Sequence, residues 1–397
     1  MNKEAAIEGT EEAPLIFIIA GEPSGDQLGA HLMEGLRAET GGQVRFAGVG
    51  GDRMAEQGLD SLVPLAELSI MGFLEVVPSI PRILKRVRET VEAIRSLRPA
   101  VVVTIDSWGF TGRVHKALIE EGIECPRVHY VAPMVWVYKP GRVHKVAARV
   151  HHQMCLWPFE PALFEAAGLS SSHVGHSIIE TGAGGGEGAA FRRRHGVPED
   201  APLLAVLPGS RRGEVRQMLP VFAQAVARIQ RVHPNLYVVL PTLGHLRDDV
   251  EKQVASWPCP VAVVTSVEDK YDGFAACSVG IAASGTVSLE LALARVPHLI
   301  AYKANWVSAA IFSLFVKVRF FDMVNILLDR GVIPELLQHR CTPRRVADQA
   351  LVLMVDGIER ETQLEDMARA VNLLRGDGSP PSRQAARQVL AHLKPVG

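Results

Sequence analysis

Apolar residues occur along this chain in short, unbroken runs, and each run is followed by a stretch with helical spacing. Residues 15–20 (LIFIIA) form a strand-like run, and 27–39 then carry Leu28, Leu32 and Leu36 four apart. Residues 44–49 read as a second strand, and across 81–97 Ile83, Val87, Val91 and Ile94 mark one face of an amphipathic helix. The very apolar 100–105 ends at Asp106, and 127–131 reads as another buried strand. The alternation restarts in the second half, with strands expected at 203–207, 236–240, 261–265 and 279–282 and helical segments between them. Strands this uniformly apolar are buried on both faces, which implies parallel sheets covered by helices. Between the two series lies TGAGGGEGAA (181–190), five glycines in ten residues, which reads as a linker. The expected architecture is α/β, with two Rossmann-like domains, 14–180 and 191–375, facing each other across a cleft. A polar break and one more helix follow at 376–397, expected to pack back on the first domain or on a partner chain.

Composition narrows the function classes. At 397 residues the chain is long enough for two cores, and 48% hydrophobic with 21% charged residues is ordinary for a globular protein. Lys+Arg 42 against Asp+Glu 43 leaves a formal charge of −1, so nothing in the total points to nucleic acid. Cys125, Cys155, Cys259, Cys277 and Cys341 are scattered and form no C-x-x-C, which favours reduced thiols in a cytoplasmic protein over disulfides or zinc. The acidic, polar start MNKEAAIEGTEEAP lacks the basic and apolar regions of a signal peptide. The longest apolar run, 306–316, falls short of the roughly 18 to 20 residues of a membrane span.

In open parallel sheets ligands bind beyond the carboxyl ends of the strands, so motifs at strand ends are the candidates. GEPSGD (21–26) follows the first strand. It is neither a Walker A loop, since no lysine follows Gly25, nor G-x-G-x-x-G; GVGGD (48–52) has Arg53 where the third glycine belongs. Its Ser and Asp suit a helix cap as well as a site. Asp106, at the mouth of a buried strand, is placed as a general base, with an N-cap as the bland alternative. LPGSRRGEV (207–215) sets Gly209, Ser210 and Arg211 between strand and helix, where backbone N–H groups and a guanidinium suit an anion. SGTVSLE repeats the arrangement with Ser284, Gly285 and Thr286, and Glu290 one turn further on can accept from ribose hydroxyls. Two such turns in one domain point to a nucleoside diphosphate. His129, His173 and His176 lie near strand ends without metal-ligand spacing, and no G-x-S-x-G is present.

SIMGFLEVVPSIPRILKRVRE (69–89) joins large apolar residues, Ile70, Met71, Phe73 and Leu74, to a helix bearing Arg82, Lys85 and Arg86. An apolar tip with a basic collar suits an anionic lipid surface. A core-packed loop beside a solvated helix face is the alternative.

Taken together, these segments resemble the lipid-A-disaccharide synthase family, glycosyltransferases of GT-B architecture, from about residue 15 to about 355. The resemblance rests on AGEPSGDQLGA (20–30), GVGGDRMAEQG (48–58), ELSIMGFLEVV (67–77), TID (104–106), HYVAPMVWVY (129–138), WPFEPALFEAAG (157–168), VGH (174–176), LPGSRRGEV, ASGTVSLE (283–290) and VIPELLQ (332–338). It implies an inverting transfer of diacylglucosamine from a UDP donor to 2,3-diacylglucosamine 1-phosphate, with a β-1,6 linkage and neither metal nor cofactor. By motif, Asp106 is implied as the base on the acceptor 6-hydroxyl and Glu22 as a second residue needed for activity. Arg211, the SGT-to-Glu290 block and Asn325 are implied in the UDP site. The resemblance also implies peripheral attachment to the cytoplasmic side of the inner membrane and a homodimer with exchanged C-terminal elements. The chain departs from the family pattern after Asp106, where DSWGF places Trp108 and Gly109 in the positions of a proline and a second aspartate. It departs again at DMVNIL (322–327) and at VWVYK, with Lys139 replacing an arginine. Alternatives are another UDP-sugar enzyme of this architecture, such as a UDP-N-acetylglucosamine 2-epimerase-like protein, a paralogue with an altered acceptor, or a non-catalytic binding module.

Overall fold

The computed structural model describes residues 13–68, 73–283, 285–304 and 319–393, without the side chains of 73–79 and of Thr286. Ile70, Met71, Ser284 and the apolar run 306–316 therefore lie outside the described residues, as do the side chains of Phe73 and Leu74. The chain divides into two units: one runs through Ser177 and takes in the segment from Gly376 onward, the other spans Ile178–Arg375.

In the first unit, β1 (Leu15–Ala20), β2 (Arg45–Val49), β3 (Val101–Ile105), β4 (Arg127–Tyr130), β5 (His152–Cys155) and β6 (Ser170–His173) form one sheet in the order β2-β1-β3-β4-β5-β6. Every pairing is parallel, and β1 meets β3 from Ile16↔Val101 to Ala20↔Ile105. Phe17 and Ile19 of β1 pack with Val87, Val91 and Ile94 of the Phe73–Leu97 helix and with Val114 and Leu118 of the Trp108–Glu120 helix. The helical face read from the sequence is the face that is buried. The last helix, Pro381–Leu390, packs on the Pro23–Thr40 helix.

In the second unit, β7 (Leu203–Leu207), β8 (Tyr237–Pro241), β9 (Val261–Val264), β10 (Val279–Ala282), β11 (His298–Tyr302) and β12 (Glu335–Leu337) pair in the order β12-β11-β10-β7-β8-β9, again all parallel. Leu204, Val206, Phe222 and Leu299 belong to its core. The glycine-rich segment, expected as a linker, is instead packed within this unit. It forms a short 3-10 turn, Ala183–Gly185, and opens the Gly188–His195 helix. A β-carbon on Gly186 would fall 2.1 Å from the Tyr271 carbonyl oxygen, and one on Gly188 2.8 Å from that of Ala275. These glycines serve close backbone approach rather than flexibility.

Both sheets reverse direction once. The first grows from β1 to β2 on one side and from β3 outward on the other; the second reverses between β7 and β10. Such switch points open a crevice at the strand ends, where ligands bind in open α/β sheets. GEPSGD and Asp106 end the two strands of the first switch point; PGSRRGE and ASGTVSLE end those of the second.

Candidate active site

At the first switch point, Glu22 is the extended residue just before the Pro23–Thr40 helix and accepts a hydrogen bond from Ser24 Oγ at 2.8 Å. Asp106 and Ser107 both adopt left-handed backbone conformations, with φ of 47° and 43°. Such conformations cost a non-glycine residue of order 1–3 kcal/mol each, and they concentrate where function requires them. The Asp106 amide donates to Tyr130 O at 2.9 Å, and its carbonyl accepts from Thr111 Oγ1 at 2.8 Å. Its carboxyl accepts from the Ser107 amide at 2.7 Å and is in hydrogen-bonding contact with Glu22. Burial first, and then the negative charge of Glu22, push the Asp106 carboxyl up to about 6, against the pull of the Ser107 N–H. Asp106 is therefore a half-buried carboxyl paired with a second one, and not the cap of the following helix.

The other acidic residue of GEPSGD has a different role. Asp26 is buried and accepts from the amides of Gly51, Arg53 and Met54 at 2.7, 3.0 and 3.1 Å. It closes the start of the Asp52–Glu56 helix and fastens GVGGD to GEPSGD.

In the second unit a cavity of about 400 Å³ is lined in part by Gly209, Ser210, Thr242, Lys270, Val287 and Glu290. The Thr286–Leu293 helix points its first turn here, and among the described residues no side chain caps it at Gly285. Glu290 is held from two sides, by Lys270 Nζ at 2.5 Å and by the Tyr271 hydroxyl at 3.2 Å. Lys270 escaped the sequence reading because it sits mid-helix among acidic residues in VEDKYD, where a lysine looks like a solvated partner.

Two of the expected nucleotide contacts have partners inside the unit. The amides of Ser210 and Arg211 already donate to the Glu214 carboxylate at 3.2 and 3.3 Å, so Glu214 covers the start of the Arg212–Val232 helix. Gly209 and Ser210 of that turn still line the cavity, and the Arg211 guanidinium, with its side chain 79% exposed, lies 3.3 Å from Glu214. Asn325 is fully buried and its amide is spent. Nδ2 donates to Ile333 O and Glu335 Oε1, both at 2.8 Å, and Oδ1 accepts from the amides of Val332 and Ile333, both at 2.7 Å. It organises the loop leading into β12 and has no group left for a nucleotide.

On the Phe73–Leu97 helix, Ile80, Leu84, Arg82, Lys85 and Arg88 are exposed. Arg86 is paired with Glu67 at 2.7 Å and Glu89 at 2.6 Å. Among the described residues no helix is long and apolar enough to cross a membrane, and no group of three or more His, Cys, Asp or Glu is arranged to hold a metal ion.

Two six-stranded parallel sheets, each with a switch point in its strand order, define a protein of the GT-B class. Solved structures of this fold include a putative UDP-N-acetylglucosamine 2-epimerase from Listeria monocytogenes, with a TM-score of 0.63 at 15% identity over 95% of each chain. Another is Acinetobacter baumannii MurG, with a TM-score of 0.59 at 14% identity over 95% of this chain and 99% of that one. The chain itself belongs to the lipid-A-disaccharide synthase family, and it is a hexosyltransferase of lipid A biosynthesis: the family model described as lipid-A-disaccharide synthetase matches residues 16–390. Curated relatives of that name include those of Rhodospirillum centenum, 48% identical over 95% of this chain and 94% of that protein, and Ruegeria pomeroyi, 42% identical over 95% of each. The match along nearly the whole chain sets aside the epimerase alternative, which shares only the fold.

Proposed function

We propose that this enzyme joins UDP-2,3-diacylglucosamine to 2,3-diacylglucosamine 1-phosphate with inversion, giving the β-1,6-linked disaccharide 1-phosphate and UDP. The observation that carries the reading is the Asp106–Glu22 carboxyl pair at the first switch point. Asp106 takes the proton of the acceptor 6-hydroxyl as the oxygen attacks the anomeric carbon. The bond from that carbon to the UDP oxygen breaks, and its electron pair leaves on UDP. A base with its value near 6 is ionised at neutral pH yet basic enough to assist. Glu22 keeps the Asp106 value up and holds the carboxyl in place.

The second unit supplies what the departing UDP needs. The start of the Thr286–Leu293 helix offers amides to the diphosphate, Arg211 adds a guanidinium, and Glu290 accepts from ribose hydroxyls. A solved neighbour, the S. aureus MnaA-UDP co-structure, has UDP on this fold, with a TM-score of 0.62. Ile80, Leu84 and Arg88, four apart on one helix and all exposed, support docking at the cytoplasmic leaflet of the inner membrane, where both acylated substrates reside.

Purified enzyme incubated with both substrates should release UDP and the disaccharide, and Asp106→Asn should remove at least about a hundredfold of the rate, in line with loss of a general base. Absence of product from the wild type overturns the reading. Full activity of the variant overturns the role of Asp106 alone. Flotation with anionic vesicles tests the membrane contact.

A further inference from the structure

Two residues before Asp106, a polar row crosses the first sheet. Thr104 on β3 is level with His129 on β4, and His129 with Gln153 on β5, so the three share one face of strands otherwise rich in valine and isoleucine. All three are fully buried, as is His115 of the Trp108–Glu120 helix. Thr104 Oγ1 lies 2.8 Å from His115 Nε2 and 2.7 Å from His129 Nδ1. A hydroxyl has one proton to give, so at most one imidazole can accept from it while the other donates to it. The outer nitrogens, His115 Nδ1 and His129 Nε2, have no hydrogen-bond partner among the described residues.

What stands against the two rings is Trp108. Its ring lies 4.9 Å from that of His129, edge to face at 66°, and 6.1 Å from that of His115, tilted at 36°. An aromatic face is the contact a buried ring nitrogen can use when no oxygen is in reach. The berth for the indole is made by Gly112, where a β-carbon would fall 2.8 Å from Trp108 Cε2 and 3.1 Å from Cδ2 and Nε1. Arg149 holds that glycine from outside, donating to its carbonyl at 2.9 Å, and the indole also packs on the cluster of Val135, Val146 and Cys155. Trp108 is the first residue of its helix and follows directly on the left-handed Asp106 and Ser107, and the Ser107 side chain provides no cap.

We propose that Trp108 is a positioning residue for Asp106: its indole, seated over Gly112 and against the His115–His129 pair, anchors the start of the helix and thereby holds the left-handed turn that keeps the Asp106 carboxyl beside Glu22. The inference rests on the reading of Asp106 as the base, and the indole itself touches no substrate.

The test uses the full chain carrying Trp108→Ala, Trp108→Phe, Gly112→Ala or the pair Trp108→Phe/Gly112→Ala, each confirmed as folded by circular dichroism. Trp108→Ala should lower kcat about tenfold or more with KM for the UDP-sugar within about twofold, as expected for a group that orients rather than binds. Trp108→Phe should keep most of the rate. Gly112→Ala should act like Trp108→Ala, and adding Trp108→Phe should restore activity, because the smaller ring clears the new methyl group. A second readout does not depend on turnover: the titration of the Asp106 carboxyl carbon in 13C-aspartate-labelled protein, assigned with Asp106→Asn. Its midpoint should fall toward the ordinary carboxylate range in Trp108→Ala and stay in place in Trp108→Phe. An unmoved midpoint in folded Trp108→Ala overturns the proposal, as does a Gly112→Ala defect that Trp108→Phe fails to relieve. A wild type without product overturns the transferase reading, while the titration still decides the role of Trp108.

Discussion

Gly21 and Ser107 stand so close that a β-carbon on the glycine would fall 2.6 Å from the serine's Cβ and 2.8 Å from its hydroxyl oxygen. The turns after β1 and β3 thus interlock, and Ser107 is already left-handed with little room to retreat. Gly21→Ala should destabilise the first unit by about 1–3 kcal/mol, the usual cost of overpacking. It should also lower kcat more than it raises KM, because the displaced turn carries Asp106. Urea unfolding and steady-state kinetics check both, and no change in either would mean that the turn yields freely.

The pH dependence follows from the Asp106 carboxyl, pushed up to about 6 by burial and by Glu22. A base works ionised, so kcat/KM should rise from acid through a midpoint near 6 and level off above it. Glu22→Gln removes the second cause and should move that midpoint down. Stability runs in the opposite direction. Between the ordinary value of 3.8 and the folded value near 6, the native state holds a proton that the unfolded chain has lost. This contribution is complete below the lower value and is lost as pH rises through the upper one. Asp106→Asn, which stays neutral, should therefore gain stability relative to the wild type as pH rises from 4 to 7 in thermal melts.

The long apolar strands, and the motifs that follow them, were legible because strands buried on both faces leave continuous runs such as LIFIIA and VVVTI. Strands β5, β6, β11 and β12 were not. HQMC, SSSH and ELL are three or four residues long, the first half polar and the second wholly so, with His152 and Gln153 buried through partners no local pattern reveals. The site was half legible for a related reason. Glu22 and Asp106 announce themselves at strand ends, whereas the commitment of Asn325 to Glu335 and to the 332–333 backbone is a tertiary fact. Glycine was the most ambiguous letter, since Gly186 and Gly188 look like linker residues and act as close-contact residues.

Asn325→Ala tests the structural role of that amide. The substitution leaves the amide and the carbonyl of Ile333 without their partner inside the second unit, while the Val332 amide keeps the Arg330 carbonyl at 3.0 Å. Each such orphan costs about 1–3 kcal/mol, so a total loss of about 2–6 kcal/mol is expected. Denaturant unfolding reads it directly. A side chain that merely touched nucleotide would instead lose UDP affinity with its stability intact.

Lys270 and Glu290, 2.5 Å apart and largely shielded from water, should be coupled. Lys270→Met strands the Glu290 carboxylate and should cost about 1–3 kcal/mol, less than for a fully buried pair. The double variant Lys270→Met/Glu290→Gln should recover much of that stability while UDP affinity, followed by calorimetry, stays weakened. Additive losses in the double variant would show that the two residues act independently.

The docking of the last helix should depend on shape rather than on charge. A β-carbon on Gly35 would lie 2.4 Å from the Ser382 carbonyl oxygen and 2.8 Å from its carbon, and backbone atoms have no rotamer with which to move aside. Glu39 meets Arg383 at 2.6 Å and Arg387 at 3.2 Å across the same contact, but these are surface ion pairs whose worth is small and screened by salt. Gly35→Ala should therefore lift the Pro381–Leu390 helix off the Pro23–Thr40 helix, expose the 376–380 stretch to limited proteolysis and lower the melting temperature. Glu39→Gln should leave the proteolysis pattern unchanged. If the reverse is found, charge and not close packing of the two helices holds the end of the chain in place.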